Sequence, residues 1–486
     1  MREVSCGPNA YYLMESTRSI GYSIKSAIAD IIDNSIAADA KHVEIFHDAF
    51  PEPYLAIADD GCGMNDQELN EAMRYGGSGP DVARSSKDLG RYGLGLKTAS
   101  LSQCRKLTVI SKKNNAVYAR QWDIDYVRRT NDWSLLILDR DEIAKLPKAD
   151  LLNNKESGTI VIWQELDKFK RDNPDAGDLL TEEMDKVGKH LSLVFHRYLS
   201  HEAGLTLSIS INNNSLKPFD PFFTKKSVKM QTEQICIPHR KGFVEVTPYI
   251  LPHPSRMTTE ERALYSDKNG MRSLQGFYIY RNRRLIIWGT WFEMAPKNEL
   301  SKLARVQVDT PNSLDDLWRL DIKKSTASPP DTVKKRLKKL VTKIIEPSTK
   351  TFEVRKRKEI SDDRINVWNM IQTRDGDHFE LNQDYPLLKV LKERLDKVEL
   401  ELLENYINII QKNLPYNNIY VEMNKDKIVE TEEDDNERKS CLNTIRSAMK
   451  LASERGTLDE AYSTLIKTTP FADYEKEITE IYNKLR

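Results

Sequence analysis

Acids, a carboxamide and closely spaced glycines carry the chemistry legible in this chain, and their order matters more than any one of them. In Asp30-Ile31-Ile32-Asp33-Asn34-Ser35, Asp30 and Asn34 stand one helical turn apart, on one face of a helix expected over 19–38. An acid plus a carboxamide on that face could hold a Mg²⁺ ion and a water; an exposed helix surface has the same pattern. Asp59-Asp60-Gly61-Cys62-Gly63-Met64 directly follows the strand-like run Leu55–Ala58. An acid at a strand end before G-x-G lets the backbone turn close to a flat ligand, and its carboxylate can accept from an exocyclic amine. A plain Asp-Gly turn reads the same way. The third cluster, Gly90-Arg91-Tyr92-Gly93-Leu94-Gly95-Leu96-Lys97-Thr98, opens a helix near Leu96. Amides at a helix N-terminus joined by a lysine form a phosphate cradle, and a glycine-rich surface loop is the alternative. It is not a P-loop, because Leu96 stands where Gly and Lys must be adjacent, and no strand runs into it as in a dinucleotide fold. Upstream, Tyr75–Pro80 contains Gly76, Gly77 and Gly79, a segment long enough to close over a nucleotide.

These residues need a scaffold. Strand-like runs fall at 42–47, 54–59, 106–111, 116–122, 133–138 and 158–163. One open sheet with a few helices, an α+β arrangement, fits this order better than strict alternation. Beyond it, a helix over 182–199 leads into strands at 205–211, 242–251 and 276–288, and Pro329-Pro330 marks a boundary. The remainder reads mostly helical. Residues 331–360 hold eleven Lys and Arg against four acids, a local net charge of +7. That stretch could contact DNA phosphates, and a solvated basic helix face accounts for it equally. Leu388, Leu391, Leu395, Val398 and Leu402 form a short coiled-coil-like seam, which a contact inside the same region also explains. Glu430–Glu437 is an acidic run expected in a solvated loop.

Composition narrows the classes. The 486 residues hold 74 Lys and Arg against 74 Asp and Glu, which excludes a uniformly basic nucleic-acid coat and leaves local patches open. No apolar run approaches the roughly 18–20 residues of a membrane helix. The start lacks the apolar core of a secretory signal. The five cysteines (Cys6, Cys62, Cys104, Cys236, Cys441) stand far apart, so neither a disulfide framework nor a CxxC zinc site is written here, which favours a reducing compartment. Cys236 and His239 have metal-like spacing but no second pair, and His190 and His196 read as packing or surface residues.

Taken in order, the clusters resemble the Bergerat-fold (GHKL) ATPases, the superfamily of gyrase B, MutL, the heat-shock chaperone of that class and the MORC proteins. Asp30 to Asn34 resembles E-x-x-x-N, Asp59-x-Gly61-x-Gly63 resembles D-x-G-x-G, Gly90 to Lys97 resembles the third motif, and Gly158-Thr159 the G-T before a strand. Gly93–Ser100 and Gly158–Trp163 look closest to the MORC branch, in a prokaryotic member. The resemblance implies an α+β chain. A Bergerat α/β sandwich ATPase domain would cover 1–165, with an N-terminal arm over 1–15 and an ATP lid over 74–95. A transducer-like α/β domain would cover 166–330, where Phe277–Ile286 is similar to the family's strand, N-x-R, strand hairpin. A mainly helical C-terminal region would cover 331–486.

The resemblance also implies roles. Asp30 would be the general base, Asn34 the Mg²⁺ ligand bridging the ATP phosphates, and Asp59, supported by Thr159, the acceptor of the adenine amine. Gly61, Gly63 and Met64 would line the nucleotide. Gly90, Gly93, Leu94, Gly95 and Lys97 would bind phosphates, with Gly76, Gly77 and Gly79 letting the lid move. Lys323 or Lys324 would reach the γ-phosphate. The family carries Glu where this chain has Asp30, one methylene shorter, which implies weakened hydrolysis. The implied activity is that of an Mg·ATP-dependent homodimeric clamp on double-stranded DNA, in anti-phage defence, restriction or repair. Nuclease or helicase effectors would be partners and no membrane is involved. The implied location is cytoplasmic in a prokaryote and nuclear in a eukaryote. A non-hydrolysing ATP-gated switch that recruits an effector, and a chaperone-like clamp on protein clients, are the alternatives.

Overall fold

The computed structural model describes residues 7–19, 21–75, 95–166, 169, 175–204, 206–237, 242–266, 270–298, 301–314, 329–341, 343, 365–373, 376–415, 435–468 and 470–486. The chain divides into two compact units. One comprises Met1–Pro252, Leu274–Pro296 and Ala304–Ile344, the other His253–Ser273, Lys297–Leu303 and Ile345–Arg486.

The first unit holds two sheets. In the first, β1 (His42–Asp48), β2 (Tyr54–Asp59), β3 (Cys104–Lys113), β4 (Ala116–Asp123), β5 (Leu136–Ile137), β6 (Gly158–Leu166), β7 (Ser208–Ile211) and β8 (Asn214–Ser215) lie in the order β5-β4-β3-β6-β2-β1-β7-β8. Only the β1–β7 pair is parallel among these neighbours. Its helices are α1 (Ala10–Arg18), α2 (Ile24–Ala37), α3 (Asp66–Met73), α4 (Gly95–Leu101), α5 (Ile124–Thr130), α6 (Arg140–Ala144), α7 (Ala176–Val194) and α8 (His196–Leu199). Strand residues alternate between two apolar clusters, as a pleat requires. Val43, Ile45, Leu55, Ile57, Val109 and Val161 join the cluster that includes Ile28 and Ile32 of α2 and Leu191 of α7. Phe46, Ala56, Ala58, Ile110 and Ile160 join Leu152 in the other.

The second sheet is built from β9 (Val228–Lys229), β10 (Glu233–Cys236), β11 (Phe243–Ile250), β12 (Gly276–Arg281), β13 (Arg284–Thr290) and β14 (Ala304–Thr310). Its order is β10-β11-β14-β12-β13, with β9 on β11. Phe222, Tyr249, Tyr278, Tyr280 and Leu285 pack together as an aromatic-rich core. Within the same unit, residues 331–341 form a helix that buries Val333, Leu337, Leu340 and Val341 and exposes Lys335, Arg336, Lys338 and Lys339.

Several expectations change. The strand expected at 205–211 as part of the second region extends the first sheet instead, pairing Val43 with Ile209 and Ile45 with Ile211. The first sheet therefore continues past residue 165, taking in β7 and β8. The arm expected over 1–15 is, from residue 10, the helix α1. Asn9 caps it, and Ala10 and Met14 are buried in the cluster that also holds α2. Residues 1–6 lie outside the described residues. The hairpin expected over 277–286 is present, with its turn at Asn282-Arg283.

In the second unit, Ile445, Met449, Leu465, Phe471, Tyr474 and Ile478 form the core of a helical cluster built from Asp435–Glu454, Leu458–Leu465 and Glu475–Leu485. A hairpin of Trp368–Thr373 with Gly376–Leu381, which the helical reading did not anticipate, precedes the helices. The seam over 388–402 is not one helix. Pro386–Lys392 ends, and Asp396 caps a new helix, Lys397–Lys412, by accepting from the Val398 and Glu399 amides. Asp435 to Glu437 of the acidic run open a helix rather than a loop; 430–434 lie outside the described residues. Among the described residues no helix is long and apolar enough to cross a membrane.

Candidate functional site

α2 supplies one wall. Ser23 caps its start by accepting from the Ser26 amide, and most of its length is buried, Asp30 at 5 % and Asp33 at 1 % exposure. Asn34 is exposed, one turn along from Asp30, between the buried Asp33 and Ser35. Buried acids need partners. The Tyr22 hydroxyl donates to Asp30 Oδ2 at 3.1 Å. Arg284, the first residue of β13, donates from Nε to Asp33 Oδ1 at 3.1 Å and places Nη2 3.7 Å from Asp30 Oδ1. Of the expected polar face of α2, Asn34 is exposed, whereas Asp30 is buried beside Asp33 and faces a guanidinium.

The other wall is the centre of the first sheet. Register sets Asp59, the last residue of β2, opposite Thr159 of β6. The Asp59 carboxylate receives three hydrogen bonds: from Ser35 Oγ at 2.9 Å, the Gly61 amide at 2.9 Å and the Thr159 amide at 3.2 Å. Burial nonetheless pushes its carboxyl above the usual range, against the opposing pull of those donors. The glycines after it are steric requirements. A Cβ on Gly61 would stand 2.8 Å from Ala38 Cβ, and one on Gly63, at φ +63°, 1.9 Å from the Lys112 carbonyl oxygen. Gly158 is as restricted, since its Cβ would meet the Asp59 carbonyl oxygen at 2.4 Å. Ser111 of β3 binds these pieces together, accepting from the Met64 amide at 2.8 Å and lying 3.0 Å from Thr159 Oγ1.

α4 begins at Gly95, whose Cβ position is open. Lys97, expected at a phosphate, is 2 % exposed here, and its ammonium donates to the carbonyls of Ala72 and Arg74 at 2.9 and 2.8 Å. It closes the C-terminal end of α3, where a cation meets unpaired carbonyls favourably. Burial brings its pKa down to about 8. Gly76, Gly77, Gly79, Gly90, Gly93, Leu94, Lys323 and Lys324 lie outside the described residues.

The structure therefore brings Asp30, Asn34, Asp59, Gly61, Gly63, Met64 and Thr159 into one neighbourhood around α2 and the ends of β2 and β6. A carboxamide oxygen beside a carboxylate is a hard donor set suited to Mg²⁺. A buried carboxylate at a strand end suits an amine donor. Tyr22, Ser35, Ser111 and Arg284 were not singled out from the sequence. The N-x-R pattern of the hairpin was the available signal for Arg284. His190 and His196 are packing residues. Burial lowers the imidazole of His190 to about 3, and His196 sits 2.7 Å from the Tyr280 hydroxyl.

Comparison with known proteins bears on this geometry. Residues 22–159 match the model of the histidine kinase-, DNA gyrase B-, and HSP90-like ATPase family. Over 95 residues the chain is 39 % identical to ATPase morc-1 of Caenorhabditis elegans, covering 19 % of this chain and 11 % of that protein. It is 30 % identical to ATPase MORC2B of Mus musculus and 28 % to MORC family CW-type zinc finger protein 1 of Homo sapiens, again over 95 residues and 19 % of this chain, which are 9 % and 10 % of those proteins. The chain thus spans about a tenth of the length of these curated relatives. A solved N-terminal domain of a DNA repair protein aligns with 72 % of this chain and 99 % of its own, at 16 % identity and a TM-score of 0.41.

Proposed function

We propose that the chain, whose residues 22–159 match the model of the histidine kinase-, DNA gyrase B-, and HSP90-like ATPase family, binds Mg·ATP between α2 and the ends of β2 and β6, hydrolyses it slowly, and closes as an ATP-dependent dimeric clamp on double-stranded DNA. The observation that carries the reading is Asp59, whose carboxylate is held in place by Ser35, Gly61 and Thr159 at the end of a central strand. That arrangement offers a fixed acceptor for an exocyclic amine, on a turn that Gly61 and Gly63 let pack tightly against Ala38 and Lys112. Thr159 supports the same acceptor. Asn34 would hold the Mg²⁺ ion, which supplies neutralisation of phosphate charge when bound. Asp30 would accept a proton from the attacking water, and Tyr22 fixes one of its oxygens. Gly90, Gly93, Leu94 and Gly95 would meet the phosphates, Gly76, Gly77 and Gly79 would let the lid move, and Lys323 or Lys324 would reach the γ-phosphate. The exposed cations of 331–341 are the described surface suited to a duplex. Restriction, repair or anti-phage defence, with a nuclease or helicase as effector, is the pathway class this reading implies.

Phosphate release by the purified chain, with and without duplex DNA, tests this alongside sedimentation with a non-hydrolysable ATP analogue. DNA-stimulated release and an analogue-dependent dimer are expected. Asn34→Ala should remove Mg·ATP binding, and Asp30→Ala should keep binding and stop release; normal Mg·ATP affinity in Asn34→Ala sinks the site assignment. A second reading, an ATP-gated switch that does not turn over, is favoured by Asp30 being shorter than the family's Glu and by its engagement with both Tyr22 and Arg284. Release from the wild-type chain no faster than from Asp30→Ala would select it.

A further inference from the structure

The second sheet sends one side chain into the α2 wall, and the details of that contact go beyond packing. Asn282 and Arg283 form the whole turn between β12 and β13, with φ of +47° and +66°. This is the geometry of a two-residue hairpin turn whose twist matches the strands it joins. Arg283 is strained there, since left-handed φ disfavours a residue with a Cβ. The turn's tightness fixes Arg284 as the first residue of β13, facing Arg281 across the hairpin. The tip is fastened from outside, because the Tyr198 hydroxyl of α8 donates to the Asn282 carbonyl at 2.6 Å. The guanidinium is fixed as well: Nη1 donates to the Leu285 carbonyl at 3.1 Å, and its carbon lies 5.7 Å from the centre of the Phe195 ring.

We propose that Arg284 is the positioning residue for Asp30: its planar fork, set by the hairpin tip, holds Asp33 and Asp30 together and makes ATP turnover depend on where that hairpin sits. The inference rests on the reading of Asp30 as the base that activates water. Tyr22 holds Oδ2 of Asp30, so the orientation of Oδ1 depends on what faces it, and Arg284 Nη2 is there at 3.7 Å. A lysine could satisfy Asp33 but presents a point charge rather than a rigid fork that reaches two carboxylates at once. Stability alone is a weak reason for such a buried pair, since apolar replacements of buried ion pairs are often neutral or better. The contact instead links residues 30 and 33 of the ATPase helix to residue 284 of another sheet, so a shift of the hairpin reaches the base directly.

The test measures steady-state phosphate release and equilibrium ATP affinity on the full chain for wild type, Arg284→Gln, Arg284→Lys, Asp33→Asn, Asp30→Asn and the double variant Asp30→Asn/Arg284→Gln, with melting curves for each. Arg284→Gln should lower kcat by roughly 100-fold, the scale of a misplaced catalytic group, with ATP affinity unchanged. Arg284→Lys should recover part of kcat, and Arg284→Gln should add nothing once Asp30 is already Asn. Where Arg284→Gln does not fold, Arg284→Lys and Asp33→Asn carry the test, each expected to lower kcat without moving affinity. Wild-type kcat in folded Arg284 variants, or a further loss in the double variant, overturns the inference while the ATPase reading stands. A wild-type chain no faster than Asp30→Asn overturns both.

Discussion

At the Thr159 end of the site, Asp59 rests on three neutral donors within 3.2 Å, supplied by α2, the turn after β2 and the start of β6. At the Asn34 end, Asp33 and Asp30 meet a guanidinium from a strand 251 residues further along the chain. One carboxylate is held without neutralising its charge; the pair is held by a cation. The first arrangement keeps an acceptor available for a ligand's amine and needs little beyond the sheet register. The second ties the Asp30 end of α2 to a distant hairpin. One helix serves both, since Ser35 faces Asp59 one residue after Asn34.

Breaking the ion-paired end should have the largest effect on folding. Arg284→Gln leaves two buried carboxylates without their guanidinium, and loss of one partner of a buried pair costs about 3–5 kcal/mol. Thermal unfolding should show a correspondingly lower midpoint, and an unchanged one would remove the contrast between the two ends. Next comes the backbone of the neutral end. Gly63→Ala sets a Cβ against the Lys112 carbonyl at a left-handed φ, with strain of order 1–3 kcal/mol, read from the same melting curves. Asp59→Asn should leave the fold nearly intact and weaken ATP binding by about 1–3 kcal/mol, measured by titration. A large loss of stability with unchanged ATP affinity would mean that the neutral end serves the fold alone.

The smallest effect concerns Lys97, which closes the end of α3. Its folded pKa of about 8 lies below the ordinary 10.5, so the unfolded chain binds more protons in that interval. The stabilising contribution is therefore full above 10.5 and lost as pH falls through about 8, and stability should rise with pH across that window. Lys97→Met should flatten the slope in melting curves recorded over the same range.

How much of this the sequence disclosed follows the same contrast. The Asp59 end is written within short spans, D-x-G-x-G and Gly158-Thr159, whose spacing carries the turn and strand geometry directly. The first sheet's central strands were legible because their residues alternate between two apolar clusters. Arg284 was visible only as part of an N-x-R hairpin, because no local pattern shows which side chain a distant strand end will touch. Lys97 was read as a phosphate ligand from its place after Gly95; its use on the Ala72 and Arg74 carbonyls depends on where α3 ends in space. The strand at 208–211 was recognised as a strand but assigned to the wrong sheet, since strand pattern does not name a partner. The 388–402 seam failed because Asp396 is a strong cap that restarts the helix, a local signal that the leucine spacing overrode.

The late pairing of β7 with β1 also has a consequence for synthesis. When residues up to 166 have left a ribosome, six of the first sheet's eight strands exist, and β1 still carries a row of unpaired amides and carbonyls along His42–Ile45. That open edge waits for 208–211, and exposed edges invite pairing with other chains. The segment that matches the family model, 22–159, is therefore shorter than the piece that can finish its own sheet.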